Sequence, residues 1–386
     1  MKRGLLNAML VLLFGLSVWV GVVPMASAKG GIDFGVDYHT WDSNFRAKGY
    51  ETVLPLSLAF MTPNGRFQLT ATTAFVQGHY VAEDVGFGGL EFNGNRMTDS
   101  VLGMGYSFPM GSFQSALALQ ANLPTGDEKW ETYQNPAYEP SVFVSSRYRG
   151  YGFGLSGIYG LGKDFSGGWN VTATGGYIYS SEVDNGLAWG KTKPGSYVLA
   201  GLAVSRKFDN GLLRLKANQY IAQDTEADGE AVFRAPGSTA LAFHAEGGQD
   251  FRLLLDLAYT LYGKAKFLDE AGGLATEKKV SFGDRFSVEP AIDYKVSESL
   301  RMTTGGILKF ALKNDYAQDD GLYNGGGALL GVAQSARLKV GPKTCLRMSL
   351  GYNHITDRDA ALDDSDRLTD VTYNDVSFGT GVGYQW

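Results

Sequence analysis

Four histidines, His39, His79, His244 and His354, are the whole imidazole supply of this chain. A hydrolase needs a nucleophile, a base and an orienting group within reach of one another. On a β-strand, side chains two positions apart share a face, and none of the four histidines has a Ser two residues later. His354 with Thr356 is the nearest approach. Ordinary polarity at the lip of a strand explains it better than catalysis, so no enzyme is expected. The single Cys345 has no partner for an internal disulfide. The segment from Arg358 to Asp370 carries Asp359, Asp363, Asp364, Asp366 and Asp370, and Asp224 to Glu230 and Asp315 to Asp320 are similar. A calcium loop sets its ligands at fixed spacing around a Gly turn, and that pattern does not occur. Phosphate-binding Gly loops, Cys/His metal spacings and basic-aromatic stripes are also missing. The expectation is no cofactor, no metal and no nucleic acid.

The charged residues of the C-terminal half are the other source of chemistry. Arg214, Lys216, Arg252, Arg285, Arg301, Lys309, Arg337, Lys339 and Arg347 all fall on the polar phase of alternating segments. The acids on the same phase are Asp33, Asp37, Glu246, Asp256, Glu289 and Asp293. Rings of side-chain charge set selectivity in pores, so these residues could line one and bias it toward anions. They could equally form a lattice of salt bridges holding a wall together. Both roles are open on the sequence.

The elements that position them are strands. From Asp375 to Trp386, Val376, Phe378, Thr380, Val382, Tyr384 and Trp386 alternate with Ser377, Gly379, Gly381, Gly383 and Gln385. That is a period of two with one greasy face. The same sorting runs through Ile32 to Trp41, Phe251 to Tyr262, Leu300 to Leu312 and Cys345 to Tyr352, with the charges on one face. A charge at mid-membrane on the lipid face costs ~2–4 kcal/mol, which is the reason to expect such sorting.

Turn chemistry occurs at Thr62 to Gly65, Pro109 to Gly111, Asp209 to Gly211, Glu246 to Gln249, Ser297 to Ser299 and Gly341 to Lys343. Longer polar connections occupy Gly78 to Arg96, Leu123 to Glu139, Ser181 to Gly195, Gln223 to Gly237, Lys264 to Lys279, Asn314 to Gly325 and Thr356 to Thr372. Short and long alternate, as in a membrane β-meander. Pro140 to Gly160 keeps one phase and reads as one long strand whose Arg-bearing end projects beyond the membrane. The fold class is then all-β: a transmembrane, antiparallel, up-and-down β-barrel of about 16 strands, with 14 to 18 as the range. Both termini fall on the periplasmic side.

Met1 to Ala28 has a basic start, a long apolar run and an Ala-Ser-Ala cleavage site. This predicts a signal peptide over 1–28 and a barrel over 29–386. No second apolar run approaches the ~18 residues of a membrane helix, so a membrane protein of this sequence must be a barrel. The expected surroundings are outer-membrane lipid and lipopolysaccharide. The oligomeric state is not readable.

Two resemblances add to this. The closing strand, with Phe378, Val382, Tyr384 and a terminal Trp386 on its greasy face, resembles the last strand of bacterial outer-membrane barrels. There the terminal aromatic belongs to the signal read by the barrel-assembly machinery. Further upstream, Asp99 to Tyr177 contains Leu123-Pro124-Thr125-Gly126-Asp127 at the end of an Ala/Leu strand. This resembles the outer-membrane transporter family linked to meta-cleavage phenol degradation, related in outline to hydrophobic-compound transporters. The resemblance implies a channel for passive passage of small molecules, apolar or aromatic ones among them. A general porin and a structural or surface-binding barrel are the alternatives.

Overall fold

A computed structural model describes residues 29–44, 47–82, 90–126, 152–184, 191–320, 322–362 and 368–386. The signal-peptide segment, most of the Pro140 to Gly160 stretch and Asp127 therefore lie outside the described residues. The first strands are β1 (Lys29–Ser43), β2 (Ala47–Met61), β3 (Phe67–Ala82), β4 (Leu90–Met97), β5 (Ser100–Met110), β6 (Phe113–Leu123), β7 (Gly154–Asp164) and β8 (Trp169–Ser180). Next come β9 (Val183–Asp184), β10 (Lys191–Lys193), β11 (Tyr197–Phe208), β12 (Gly211–Ala222), β13 (Asp224–Ala227), β14 (Glu230–Arg234), β15 (Ser238–Gly248) and β16 (Phe251–Tyr262). The last are β17 (Lys266–Leu268), β18 (Leu274–Thr276), β19 (Arg285–Lys295), β20 (Leu300–Ala311), β21 (Gly327–Lys339), β22 (Thr344–Leu362) and β23 (Leu368–Gln385).

Two sheets result. The large one is an antiparallel ring. Each barrel strand pairs with the next in sequence, and β1 pairs with β23 from Gly31↔Gln385 to Ser43↔Tyr373. β4 and β5 both pair with β3, one beyond the other, so they form a single interrupted stave. Counted that way, the described residues make a closed barrel of 16 strands. The second sheet has six short strands, β9, β10, β13, β14, β17 and β18, drawn from the long connections.

The short turns all fall at one end, and their residues explain them. At 62–66 the Thr62 hydroxyl accepts the Phe67 N–H at 3.0 Å, and the Asn64 side chain accepts the Arg66 N–H at 3.0 Å. Gly65 and Gly111 take positive φ in their turns, which costs Gly little. One further turn, Phe165 to Trp169, lacks the Asn-Gly or Pro signal and was not expected as one.

The long connections depart from the sequence expectation. Strand pairing extends through Ala82 and from Leu90, and through Leu362 and from Leu368, so much of two supposed loops is ladder. Three others carry the strands of the second sheet. These strands are two to five residues long, too short to leave a periodic trace. β7 runs from Gly154 to Asp164, and the part of the Pro140 to Gly160 reading before Gly152 lies outside the described residues.

Alternate residues face outward. Leu215, Leu253, Val332 and Leu350 expose more than half of their surface, Val332 as much as 62%. So wide an apolar surface exceeds what a soluble protein carries and matches the lipid-facing band of a membrane barrel. Phe113, Phe165, Trp169, Phe208, Phe251 and Trp386 stand at its short-turn edge, as an interfacial aromatic girdle. Lys163 and Arg206 break the sorting at this edge by facing outward. Lys163 lies 5.2 Å from the Phe113 ring, and Arg206 lies 4.8 Å from the Phe208 ring and 5.2 Å from that of Trp169. Both sit in the girdle, where a long cation can keep its charge in the headgroup layer.

The seam between β1 and β23 has large residues outside and glycines inside. A Cβ on Gly379 would meet the Asp37 carboxylate, and one on Gly383 would meet that of Asp33. The glycines let the acids of β1 lie flat along the inner wall.

Candidate functional site

On β20, β21 and β22 the inward residues include Arg301, Arg337 and Arg347. Their register is direct: Arg301↔Arg337 and Arg337↔Arg347. Directly opposed residues have Cβ atoms about 5 Å apart, and like charges there are unfavourable. Two unit charges at about 5 Å repel by about 1 kcal/mol in water and by about 3 kcal/mol at an effective dielectric of 20. Such a row needs anions.

Two of the three arginines have them. Arg301 Nε lies 3.0 Å from Asp293 Oδ1, and Arg252 Nε lies 3.4 Å from Asp293 Oδ2. Asp293 is only 7% exposed and also accepts from the Thr303 hydroxyl at 3.3 Å. Arg252 reaches Glu246 at 3.7 Å. Arg347 is hydrogen-bonded and ion-paired to Asp33 across the seam. Arg337 differs: its Nε–H donates to Cys345 Sγ at 3.1 Å, and among the described residues no carboxylate pairs with it.

These groups border a cavity of about 640 Å³ in the lumen, lined by Asp37, Arg252, Asp293, Arg301, Arg337 and Arg347. Pro55 and Leu254 supply apolar wall, and Ser335, Ser349, Gly379 and Gly381 keep it open. The remaining charged residues singled out from the sequence lie away from this cavity. Arg214 and Lys216 on β12 face His244 and Ala242. Asp256 is 2.7 Å from His244 Nδ1, and Lys309 is 3.5 Å from Glu289. Arg285 lies 5.9 Å from the Tyr262 ring.

The lumen also holds a feature that the polar-phase reading missed. Leu329, Ile355, Val371 and Tyr373 form one buried cluster on β21, β22 and β23. Ala47, Val53 and Val76 form another on β2 and β3. Trp41 of β1 packs against both. All these residues occupy the inward phase of their strands, the phase that carries Asp37, Ser349 and Arg347 further along. Gly49 opposes Trp41, and a Cβ there would collide with the indole ring. The indole N–H is buried without a hydrogen-bond partner among the described residues. The signal available in the sequence was Trp41 itself, an aromatic on the polar phase of its strand.

The Leu-Pro-Thr-Gly element has a structural role. β4 and β5 are separated by Thr98 and Asp99. Thr98 N–H donates to Ala74 O at 2.8 Å, and its hydroxyl accepts Ala74 N–H at 3.0 Å, bridging the gap. Asp99 accepts Gly126 N–H at 2.9 Å and the Asn122 amide at 2.7 Å. Thr125 Oγ1 lies 2.9 Å from Ser100 Oγ and donates to Thr98 O at 3.0 Å. The element that follows β6 is thus tied to the interruption in the neighbouring stave.

His244 and Asp256 form a cross-strand pair with no Ser, Thr or Cys hydrogen-bonded to the imidazole among the described residues. His39 approaches Asp375 at 3.8 Å, and His354 is 3.0 Å from Asn374. Among the described residues no group of three or more His, Cys, Asp or Glu is placed to hold a metal. At the far end, Asp359 accepts from the Tyr323 hydroxyl at 2.6 Å, and this raises the tyrosine's pKa. The terminal residues Phe378, Val382, Tyr384 and Trp386 all face outward, between 42% and 50% exposed. Trp386 N–H donates to Gly30 O at 3.1 Å.

The model of a family described as the MetA-pathway of phenol degradation matches residues 26–261. No curated protein matches the chain. Solved structures similar to it include the CymD monoaromatic hydrocarbon channel, at 12% identity, 94% of this chain and 89% of that one, and a TM-score of 0.45. The P. putida toluene transporter TodX is 11% identical over 93% and 89% of the two chains, with a TM-score of 0.40. Pseudomonas aeruginosa OpdQ is 10% identical over 94% and 99%, with a TM-score of 0.43. All three scores lie below 0.5, and none bears on what this barrel carries.

Proposed function

We propose, because this chain belongs to the family of the MetA-pathway of phenol degradation, that the barrel is a passive outer-membrane channel for small molecules, apolar or aromatic ones in particular. The carrying observation is the lumen itself. A closed barrel of 16 strands encloses a cavity of about 640 Å³ and also turns Trp41, Val53, Leu329 and Ile355 inward. Val53, Leu329 and Ile355 back Trp41, whose partly exposed indole gives an uncharged ring a surface to leave water for. A cavity of this size suits a small solute. Passage is downhill, and the wall selects by shape and polarity.

The charged wall supports a second property. Arg301 and Arg337 raise the local positive potential, and their replacement by Ala shifts the reversal potential toward cations. A general porin is the competing reading, and the charged cavity is what favours it. In this reading residues 1–28 are removed as a signal peptide, both termini face the periplasm, and Phe378, Val382, Tyr384 and Trp386 present the strand that the barrel-assembly machinery reads.

The test is single-channel recording of the refolded protein in a planar bilayer, beside benzyl alcohol uptake into proteoliposomes. Uptake above protein-free vesicles with small conductance steps is the expected result. Large ohmic steps with no preference for the aromatic solute over a sugar of equal size would replace this reading with the general porin. Neither conductance nor uptake would leave a structural barrel.

A further inference from the structure

We propose that Arg337 anchors a lumenal binding site for a monoanionic organic acid, whose carboxylate its guanidinium holds. The inference rests on reading the lumen as solute-accessible, and it adds a ligand class to that reading.

Arg337 stands between two arginines at the same register, Arg301 and Arg347. Each neighbour has a carboxylate of its own, Asp293 for Arg301 and Asp33 for Arg347. Among the described residues Arg337 has only the Cys345 sulfur, on Nε. A thiol sulfur is a weak acceptor. The two terminal nitrogens thus have no protein partner among the described residues, and Arg337 borders the cavity. A guanidinium fork fits a planar carboxylate through two parallel hydrogen bonds.

The surroundings select the ligand further. One uncompensated guanidinium matches one negative charge. Asp37 and Asp293 on the same wall repel a second. That disfavours a phosphate dianion. Pro55 and Leu254 give the cavity an apolar side, and Thr303, Ser335 and Ser349 add hydroxyls. A carboxylate joined to a compact apolar body meets all of these at once.

The experiment is calorimetric titration of the refolded full-length chain in detergent. The probe is benzoate, with benzamide and inorganic phosphate as comparisons. Native protein is expected to bind benzoate saturably, and benzamide and phosphate at least about tenfold more weakly, the scale of one charge-assisted hydrogen bond. Arg337→Gln should weaken benzoate by about the same factor. Cys345→Ser should leave it within twofold. Arg337→Lys, which keeps the charge and loses the fork, should fall between. Heat-modified gel mobility shows that each variant is folded. If Arg337→Gln does not fold, Arg337→Lys and the benzoate-to-benzamide ratio of native protein decide.

No benzoate binding to native protein, equal binding by Arg337→Gln, or phosphate binding as tightly as benzoate would each overturn the proposal. Uptake assays separate it from the channel reading. Binding without uptake sinks the channel and leaves the site. Uptake without Arg337-dependent binding does the reverse.

Discussion

The carboxylate of Asp99 accepts the backbone N–H of Gly126 at 2.9 Å across 27 positions of sequence, at the point where β4 gives way to β5. Asp99 is 8% exposed and holds the Asn122 amide as well. Removing it strands two donors in a place with little water. Asp99→Ala is expected to cost about 1–3 kcal/mol, the penalty for unsatisfied buried groups. Urea unfolding of the folded barrel in lipid measures it. An unchanged midpoint would mean that water replaces the carboxylate.

The Asp33–Arg347 pair joins strands 314 positions apart. Its side chains remain 35% and 49% exposed to the lumen. Exposed pairs are worth ~0.2–1 kcal/mol. A double-mutant cycle with Asp33→Asn and Arg347→Gln should therefore give a coupling below about 1 kcal/mol. A coupling several times larger would show that the seam depends on this pair rather than on its ladder.

Trp41 bridges the two inward apolar clusters. Trp41→Ala should raise single-channel conductance by opening the lumen, and lower stability by at most about 3 kcal/mol, since the indole is only partly buried. Trp41→Phe keeps a ring there and removes the unpartnered N–H, so its stability should match or exceed native. If Trp41→Ala leaves conductance unchanged, the passage lies elsewhere in the lumen.

In the second sheet, Asp224 pairs with Arg234 across the β13–β14 hairpin, with Arg234 Nη2 2.9 Å from Asp224 Oδ2. The hydrogen bond from Arg234 lowers the Asp224 pKa below the ordinary carboxylate value. A depressed folded pKa gives stability that is complete above the unfolded value, about 4, and that disappears as pH falls through the folded one. The pair is partly exposed, so the effect is below about 1 kcal/mol. Amide exchange in β13 and β14 should accelerate in acid in native protein, and this acid dependence should shrink in Asp224→Asn. Identical pH profiles would refute it.

Much of the barrel was legible because lipid enforces it. Every second residue of β16, β20 and β23 meets the outer surface, so Leu253, Phe310 and Phe378 mark the phase unmistakably. The arginines could be placed on the inner phase for the same reason. Their opposition could not, because the register of Arg301, Arg337 and Arg347 depends on how many residues each turn consumes. Nor could the clusters around Trp41. A period of two assigns a face to Val53 or Ile355, but it does not say which strand comes opposite. The interrupted stave was hidden because nearly all of β4 reads as part of the polar Gly78 to Arg96 connection until it is seen paired with β3 ahead of β5. The two-residue β9 and three-residue β10 are shorter than any window that detects alternation.

The pairing of β1 with β23 has a consequence for how the molecule comes to exist. Until β23 is in place, β1 presents a bare row of N–H and C=O groups, the kind of edge that recruits foreign strands. The contacts that cover it span more than 300 residues, and contacts so distant in sequence form slowly. Gly379 and Gly383 on the inner face of β23 leave room for the Asp37 and Asp33 carboxylates, so the closing ladder forms without displacing side chains that already lie along β1.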